Sequence, residues 1–404
     1  MSIGLIGTGS MGSQLAINIS RRSVIHVHNR TYSKVKKLAD KNINIEGHES
    51  IVDFVSNMKE PRTIITMLPH GKPSMDMISS LTKHVSSDDT IINCANELYK
   101  NSTYSEQECK NRGVNYLGVG VSGGTLGALK GPAMMVGGDK DVYETVRPFL
   151  ESIACNSVYI TEDAGSGHFT KMVHNGVEYG MLQGIADVFA YCNYDTERFK
   201  SILEEAKDTF LDGYLIDSAI RVCDTLPVNS IDGTCQMNNT GLWTQYYSLQ
   251  QQIDAPIISS GVQTRIASKH AVNINDKRPK TVVNSTLALQ ALLFVFSSSL
   301  IEGYAITDSK GLPRENVKKA WLKGTIIEND MIPLEIDMLK AIRKFSVNGA
   351  RQVCKRCMRA KIPVPTLAHG ITAYDFERNG NKSTAFVMGQ RFDFGGHDFN
   401  IIER

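Results

Sequence analysis

A glycine-rich turn between a predicted strand and a predicted helix constrains the fold of this chain more than any other feature. Residues 3–6 are apolar and predict a buried strand, G-T-G-S-M-G follows from Gly7, and a helical pattern continues to about residue 20. The run V-I-H-V-H-N from Val24 predicts the second strand of a β-α-β unit. In this context, G-x-G-x-x-G favours a dinucleotide-binding turn over a purely structural glycine turn.

Each glycine of this turn has a predicted role. Gly7 allows the tight turn, Gly9 lets the backbone approach a pyrophosphate, and Gly12 lets the helix pack on the strand. The unpaired amides at the start of the helix face the phosphates. We therefore predict that the cofactor contacts the whole turn: Gly7, Thr8, Gly9, Ser10, Met11 and Gly12.

The residues after the second strand predict which dinucleotide binds. A site specific for NAD usually has a carboxylate there, which accepts a hydrogen bond from the ribose. This chain has Asn29, Arg30 and Thr31 instead. Arg30 can pair with a 2′-phosphate, and Asn29 and Thr31 can donate to it. The sequence therefore predicts NADP.

The rest of the chain divides into a strand-rich half and a helical half. Short apolar runs from Thr63, Thr90 and Val114 alternate with helical stretches and predict a buried parallel sheet. Helical periodicity dominates from about Gly165. We predict an α/β Rossmann-type doubly wound sheet (residues 1–164), followed by an all-α domain (165–384) and a short C-terminal tail (385–404).

Residues 165–179 predict a helix with one chemically unusual face. Five polar side chains fall within an arc of roughly 140°: Lys171, His174, Asn175, Glu178 and Tyr179. The opposite face offers Met172, Val173, Val177 and Met181 as an anchor. A base and an acid on one rigid helix suit paired proton transfer. The alternative interpretation is a solvated helix face with an ordinary Lys–Glu pair.

Composition excludes several classes of function. A formal net charge of +2 over 404 residues argues against nucleic-acid binding. The first predicted strand begins at Ile3, which leaves no room for a leader, and the longest apolar run, 287–296, is too short for a membrane span. We expect a cytoplasmic protein without membrane contact.

The cysteines do not predict a metal site. Of eight cysteines, only Cys354 and Cys357 form a C-x-x-C pair, and no second pair is nearby. We interpret both as ordinary helix residues and predict no metal in the functional site.

The 165–179 helix resembles the catalytic helix of the 6-phosphogluconate dehydrogenase family. Five further segments resemble that family in the family's order and extend the resemblance from Ile3 to about His397. They are N-R-T-Y-S-K-V from Asn29, V-S-G-G-T-L-G-A from Val121, G-P-A-M-M-V-G-G from Gly131, T-G-L-W-T from Thr240 and Q-R-F-D-F-G-G-H from Gln390. The chain is shorter than typical members, with losses in the helical domain and at the end.

The resemblance implies an activity and its residues. The activity is oxidative decarboxylation of 6-phospho-D-gluconate to ribulose 5-phosphate and CO2, with reduction of NADP. Lys171 is the implied base and Glu178 the implied acid. His174 and Asn175 position hydroxyls and the nicotinamide. The implied carboxylate contacts are Ser122, Gly123 and Gly124, and the further cofactor contacts are Leu68 and Asn96.

The resemblance also implies a phosphate cage in a homodimer. Its members are Tyr179, Thr240, Arg265 and, from a second subunit, Arg391, with His397 completing the inter-subunit part. This chain departs from the family at three places: Asn238 replaces the cage lysine, Pro69 replaces a lysine after the fourth strand, and N-C-A-N at 93–96 replaces D-G-G-N.

Those departures keep two alternatives open. One is a related NADP-dependent β-hydroxyacid dehydrogenase with another substrate, because G-x-G-x-M-G and S-G-G also occur in that superfamily. The other is a catalytically idle binding relative. Retention of Lys171, Asn175 and Glu178 argues against the idle protein.

Overall fold

The first half of the chain folds around one mixed sheet. The computed structural model describes residues 2–271, 279–380 and 382–400. Within them, the strands are β1 Ser2–Ile6, β2 Ile25–His28, β3 Ile45–His48, β4 Arg62–Thr66, β5 Thr90–Asn93, β6 Asn115–Ser122, β7 Ala133–Gly138 and β8 Asn156–Tyr159. Their order is β3-β2-β1-β4-β5-β6-β7-β8. All neighbours are parallel except the antiparallel pair β6–β7.

Helices cover both faces of this sheet. They are α1 Ser10–Ser20, α2 Tyr32–Ala39, α3 Ile51–Ser56, α4 Lys72–Leu81, α5 Tyr99–Lys110, α6 Gly124–Lys130 and α7 Lys140–Ile153. Consecutive residues of the central strands are buried in different clusters, Ile64 in one and Ile65 in the other. Both faces of a strand buried in this way must be apolar, which explains the uninterrupted apolar runs.

The strand order reverses at β1, which lies between β2 and β4. In open α/β sheets, ligands bind at such a reversal, beyond the carboxyl ends of the strands. The predicted glycine-rich turn follows β1 at this place.

The Rossmann-type sheet is confirmed, and the strands predicted from Thr63, Thr90 and Val114 are parallel to one another. The sheet as a whole is mixed, since one pair of strands is antiparallel. β7 runs antiparallel to β6, because the short helix α6 connects the two strands and returns the chain directly. The edge strands β3 and β8 have the sequences I-E-G-H and N-S-V-Y, which lack the apolar run that marks the central strands.

The second half of the described chain is helical, as predicted. Its α-helices are α8 Gly165–Tyr191, α9 Thr196–Ala206, α10 Tyr214–Thr225, α11 Thr240–Gln250, α12 Pro256–Ser268, α13 Ser285–Ser309, α14 Arg314–Leu322, α15 Ile336–Arg359, α16 Pro365–Asn379 and α17 Lys382–Gly395. Helix α8 is central: it packs on α11, α12 and α13 and also on β6 and β7. It therefore joins the helical half to the sheet.

Glycine lets α8 approach the sheet closely. A Cβ on Gly120 of β6 would lie 2.6 Å from the Gly167 carbonyl oxygen and would also clash with Lys171. Real Cβ atoms do not approach that closely. The absence of a side chain at Gly120 thus sets where Lys171 lies relative to β6.

Two buried carboxyls fix the helical domain around α8 and α13. Asp187 of α8 accepts hydrogen bonds from the Thr366 and Leu367 amides at the start of α16 (2.9 and 3.0 Å). Glu302 of α13 accepts from two amides at the start of α12, at 3.0 and 2.9 Å. Burial raises the pKa of Asp187 to about 7 and that of Glu302 to about 8. Both side chains therefore provide N-terminal caps for neighbouring helices.

Helix α13 is a core helix of this domain. By length and composition it is the one helix among the described residues that could cross a membrane, but 72% of its most apolar window is buried inside the protein. It packs mainly against α15 and α8.

The last helix has no buried residue of its own. Several large apolar side chains on α17 and just beyond it are exposed: Phe386, Val387, Phe392, Phe394 and Phe399.

The two cysteines of the C-x-x-C pair, Cys354 and Cys357, are buried free thiols on α15. They occupy ordinary helix positions.

Candidate active site

The glycine-rich turn has the shape that a bound dinucleotide needs. Gly7 has a φ of +105°, and a Cβ there would meet the Met67 carbonyl. A Cβ on Gly12 would clash with the Gly7 carbonyl, so α1 packs directly on the turn. A Cβ on Gly9 would have no neighbour within 4 Å, which leaves open space beside the backbone.

The donors around this turn fit an anionic group. Helix α1 begins after Gly9 without a side-chain cap and without an acidic residue in its first turn. The Thr8 amide donates to Asn29 Oδ1 at 3.1 Å. The Thr8 hydroxyl oxygen is buried and lacks a partner within the described residues. The unpaired Thr8 hydroxyl and the uncapped helix N-terminus are the groups that a pyrophosphate requires.

The predicted selectivity residues lie at the end of β2. Asn29 is partly buried, and its side-chain amide donates to the Thr31 carbonyl at 3.2 Å. Arg30 is exposed and makes no salt bridge within residues 2–271, 279–380 and 382–400. The guanidinium is therefore available to a phosphate, and no carboxylate competes for it at this strand end.

A cleft of about 440 Å³ connects this turn to the helical domain. Met11 and Asn96 line it from the nucleotide side, Ser122, Gly123 and Gly124 from the end of β6, and Lys171, Asn175, Glu178, Tyr179, Asn238 and Arg265 from the helical side. Leu68 is partly buried after β4 and does not line this cleft. The structure thus brings most of the predicted site residues to one place.

Lys171 is a buried amine at the base of the cleft. Its side chain is on α8, and the residue is 7% exposed. Its Nζ lies 3.3 Å from His174 Nδ1. Burial lowers the pKa of Lys171 to about 8, and the carboxylate of Glu178 partly opposes that shift. A larger fraction of Lys171 is therefore neutral near physiological pH than of a solvated lysine, and a general base must be neutral.

His174 is held as a neutral ring between polar partners. Its Nδ1 lies 3.0 Å from Asn175 Oδ1, which accepts a hydrogen bond when the ring proton is on Nδ1. Its Nε2 then accepts from the Ser122 hydroxyl at 3.1 Å. Burial, followed by the charge of Lys171, holds the pKa of His174 well below its usual value. The ring therefore adds no positive charge beside Lys171.

Glu178 lies two turns after Lys171 on the same helix. Burial raises the pKa of Glu178, whereas Lys171 and Arg265 lower it. Its Oε2 lies 3.8 Å from His174 Nδ1. A carboxyl with a raised pKa keeps a proton more readily than a solvated one, which suits a general acid.

The far end of the cleft collects anion-binding groups. The Arg265 guanidinium lies 3.6 Å above the ring centroid of Tyr179, and Nη1 donates to the Gln236 carbonyl at 2.9 Å. Asn238 Oδ1 accepts from the Tyr179 hydroxyl at 3.1 Å and from the Thr240 hydroxyl at 2.5 Å. The Asn175 amide also donates to the Thr240 hydroxyl oxygen, at 2.7 Å.

Arg391 and His397 do not reach the cleft of their own chain. Arg391 is exposed on α17, where Nη1 lies 3.9 Å from Met388 Sδ. His397 is exposed and lies against Gly395.

Sequence reasoning missed part of the cleft wall. Gln236 and Met237 line it beside Asn238, and Ile326 lines it from the segment after α14. The only sequence indication for the first two is their position just before T-G-L-W-T. Nothing local marks Ile326, because only the tertiary fold brings its segment to Ser122, whose hydroxyl oxygen accepts from the Ile326 amide at 3.4 Å.

A dinucleotide turn that opens into a cleft with a buried lysine and a carboxyl defines a Rossmann-type dehydrogenase with a helical substrate domain. Residues 2–161 match the NAD binding domain of 6-phosphogluconate dehydrogenase, and residues 167–404 match the 6-phosphogluconate dehydrogenase C-terminal domain. The chain belongs to the 6-phosphogluconate dehydrogenase family.

Individual relatives match over nearly their full length. Two proteins of Bacillus subtilis (strain 168) are each 29% identical to the chain: an NADP(+)-dependent decarboxylating 6-phosphogluconate dehydrogenase (100% of this chain, 97% of the relative) and an NAD(+)-dependent one (98% and 96%). Plasmodium falciparum 6-phosphogluconate dehydrogenase, solved in apo form and with NADP+ or 6-phosphogluconate, superposes with a TM-score of 0.87 at 25% identity, over 100% of this chain and 98% of that one. The first match spans 458 positions, more than the 404 residues present here, so this relative has segments that the chain lacks.

Proposed function

We propose that the protein catalyses the NADP-dependent oxidative decarboxylation of 6-phospho-D-gluconate to ribulose 5-phosphate and CO2. One observation carries the proposal: a buried Lys171 with a lowered pKa shares a cleft with Glu178 and with the dinucleotide turn. The names of the relatives support the same reaction.

Lys171 begins the reaction as the base. Its neutral amine takes the proton of the carbon-3 hydroxyl, which makes the carbon–hydrogen bond at that carbon a hydride donor. Bound NADP supplies the hydride acceptor. The neutral His174 ring and the Asn175 amide orient the substrate hydroxyls without adding a charge that would keep Lys171 from being reprotonated.

Decarboxylation and reprotonation use the same two groups. The product of oxidation is a β-keto acid, and protonated Lys171 polarises its new carbonyl while CO2 leaves. The electron pair of the broken carbon–carbon bond forms a carbon–carbon double bond, and Lys171 gives its proton to the former carbonyl oxygen, which yields an enediol. Glu178, whose pKa is raised by burial, protonates carbon 1 of that enediol, while neutral Lys171 takes the hydroxyl proton back and the ketone forms. These proposed reaction steps use no metal.

The two ends of the substrate are charged and match the two ends of the cleft. The Ser122 hydroxyl and the backbone of Gly123 and Gly124 receive the carboxylate. Tyr179, Thr240 and Arg265 surround the phosphate, with Asn238 where the family resemblance implies a lysine. That replacement also motivates the second candidate, a β-hydroxyacid dehydrogenase whose substrate has no phosphate.

NADP is the proposed cofactor because of Arg30. The relatives include both an NADP(+)-dependent and an NAD(+)-dependent enzyme at equal identity, so kinship alone does not choose. The exposed Arg30 guanidinium, which has no carboxylate neighbour, favours NADP because it can pair with a 2′-phosphate.

A homodimer is the proposed active form. Helix α17 has no buried residue and displays exposed aromatic side chains, and such a surface supports coverage by a partner subunit. We assign Arg391 and His397 to the site of the second subunit, where they would complete the phosphate cage. A cytoplasmic location completes the proposal.

A substrate panel tests the assignment. Purified protein is given NADP with 6-phosphogluconate, gluconate or 3-hydroxyisobutyrate, and NADPH and CO2 are measured together. The proposal expects equal amounts of both products from 6-phosphogluconate and much slower reaction with the others. NADPH without CO2 from 3-hydroxyisobutyrate would establish the second candidate, and no reaction with any of them would leave the idle relative.

A further inference from the structure

A cluster of imidazole and carboxylate groups lies on the outer strands of the sheet, away from the cleft. The parallel register of β2 and β3 pairs His26 with Glu46 and His28 with His48. His26 Nδ1 lies 3.0 Å from His48 Nε2 and 3.4 Å from Glu46 Oε2. One ligand atom from each of His26, Glu46 and His48 lies within 4.8 Å of the others.

These separations match the ligand spacing around zinc. With metal–ligand bonds of about 2.0–2.1 Å, adjacent ligands of a tetrahedral ion are about 3.3 Å apart. The two measured separations, 3.0 and 3.4 Å, bracket that spacing. An ion between the three atoms therefore requires only small side-chain shifts. Imidazole and carboxylate ligands also suit a divalent ion such as Zn²⁺.

The second nitrogen of one histidine already has the partner that metal ligands usually have. His48 Nδ1 lies 3.3 Å from the Asp53 carboxylate on α3. A carboxylate in that position fixes the tautomer, leaving the lone pair of Nε2 for a metal. Nδ1 of His26 must likewise be deprotonated, so its proton resides on Nε2 when an ion is bound.

The two histidines of the cluster are buried, whereas the glutamate is exposed. His26 and His48 are 8% and 7% exposed, whereas the Glu46 side chain is 54% exposed. The imidazoles are thus preorganised by packing, and the carboxylate side gives an ion access and leaves room for a water as the fourth ligand. None of these residues lines the cleft that contains Lys171.

We propose that His26, Glu46 and His48 form a Zn²⁺ site that ties the edge strand β3 to β2, with Asp53 as the residue that orients His48. The ion acts on stability and not on the reaction. Sequence spacing did not reveal the site, because His26 and His48 are 22 residues apart and only the sheet register joins them.

Titration calorimetry tests the proposal. ZnCl2 is titrated into cofactor-free full-length protein and into Glu46→Gln, His48→Gln, Asp53→Asn and Glu49→Gln variants. We expect one high-affinity site per chain, at least about tenfold weaker binding in the first three variants, and no change in Glu49→Gln, whose carboxylate is exposed nearby. Glu46 is exposed, so Glu46→Gln keeps the fold even if His48→Gln does not.

X-ray absorption of the one-zinc protein separates this site from the exposed thiols Cys155 and Cys235. The proposal expects nitrogen and oxygen ligands only. Sulfur ligands, fewer than one bound zinc per chain, or unchanged binding in Glu46→Gln would overturn it.

Discussion

At the scale of single residues, burial gives Lys171 its chemistry. A solvated lysine has a pKa near 10.5, and burial in the cleft lowers that of Lys171 to about 8. Glu178 acts in the opposite direction, because its negative charge favours the protonated amine. The pKa of each residue therefore depends on the charge of the other.

This coupling predicts a pH shift. Neutral Lys171 reacts with an acylating reagent, so its labelling, followed by mass spectrometry, should rise with pH through about 8. Glu178→Gln removes the charge that raises the pKa of Lys171, and the midpoint should move to lower pH. The control Glu162→Gln, an exposed carboxylate outside the cleft, should leave it in place. An unmoved or raised midpoint in Glu178→Gln would contradict the coupling.

Asn238 is the residue whose chemistry departs most from the family pattern. Its Oδ1 accepts hydrogen bonds from the Tyr179 and Thr240 hydroxyls, and an amide adds no charge to meet a phosphate. A lysine there would lose those acceptor contacts, but a bound phosphate oxygen can accept from the same hydroxyls. The attraction between the lysine and the phosphate should therefore outweigh the loss of the Asn238 contacts.

Asn238→Lys should tighten binding of 6-phosphogluconate roughly ten- to a hundredfold, since a charge-assisted hydrogen bond contributes about 1.5–3 kcal/mol. Turnover should change little, because the phosphate is remote from the reacting carbons. Calorimetry gives the dissociation constant. Asn238→Met is the control, because methionine is similar in length to lysine but has no charge. Weaker binding in the lysine variant would favour a substrate without a phosphate.

At the scale of elements, β1, the turn and α1 form a unit that the sequence alone identifies. Gly7 and Gly12 are required because a Cβ at either position meets a carbonyl. Arg30, at the end of β2, is the residue that we propose selects the dinucleotide. In the proposed site the turn binds the pyrophosphate common to both cofactors, so the strand end distinguishes them.

Arg30→Ala should therefore raise the apparent Michaelis constant for NADP much more than that for NAD. The loss of a charge-assisted pair with the 2′-phosphate is worth about 1.5–3 kcal/mol, or roughly ten- to a hundredfold. Initial rates with each cofactor measure this, with exposed Lys83→Ala as the control. Equal use of both cofactors by the unaltered protein would show that Arg30 does not select.

The elements that sequence patterns predicted are those whose pattern is local. Buried central strands show as apolar runs, and α8 shows its polar face at helical spacing. The edge strands β3 and β8 lack such a run, and the direction of β7 depends on its pairing with β6. In the cleft, Lys171 and Glu178 were found because one helix carries both, whereas Ile326 comes from a segment that only the tertiary fold places there.

At the scale of the whole molecule, the proposed phosphate site is incomplete within one chain. Arg391 lies on a helix with no buried residue and makes no contact with the cleft. Complementation tests whether a partner provides it. Lys171→Ala and Arg391→Ala chains, each nearly inactive alone, should regain activity when mixed after dissociation, because heterodimers contain one site with neither substitution. A fully active monomer, sized by light scattering, would contradict this arrangement.

The central claim is that buried Lys171 acts as the base when NADP oxidises a phosphorylated sugar acid in this cleft. Its most direct test is NADPH formation from 6-phosphogluconate by the unaltered protein and by Lys171→Ala, with thermal melting to show that both are folded. We predict steady NADPH production by the unaltered protein and a loss of about 10²–10⁴ in rate, or more, in Lys171→Ala, while Lys83→Ala keeps the full rate. A folded Lys171→Ala protein that still reduces NADP at a near-normal rate would contradict the account.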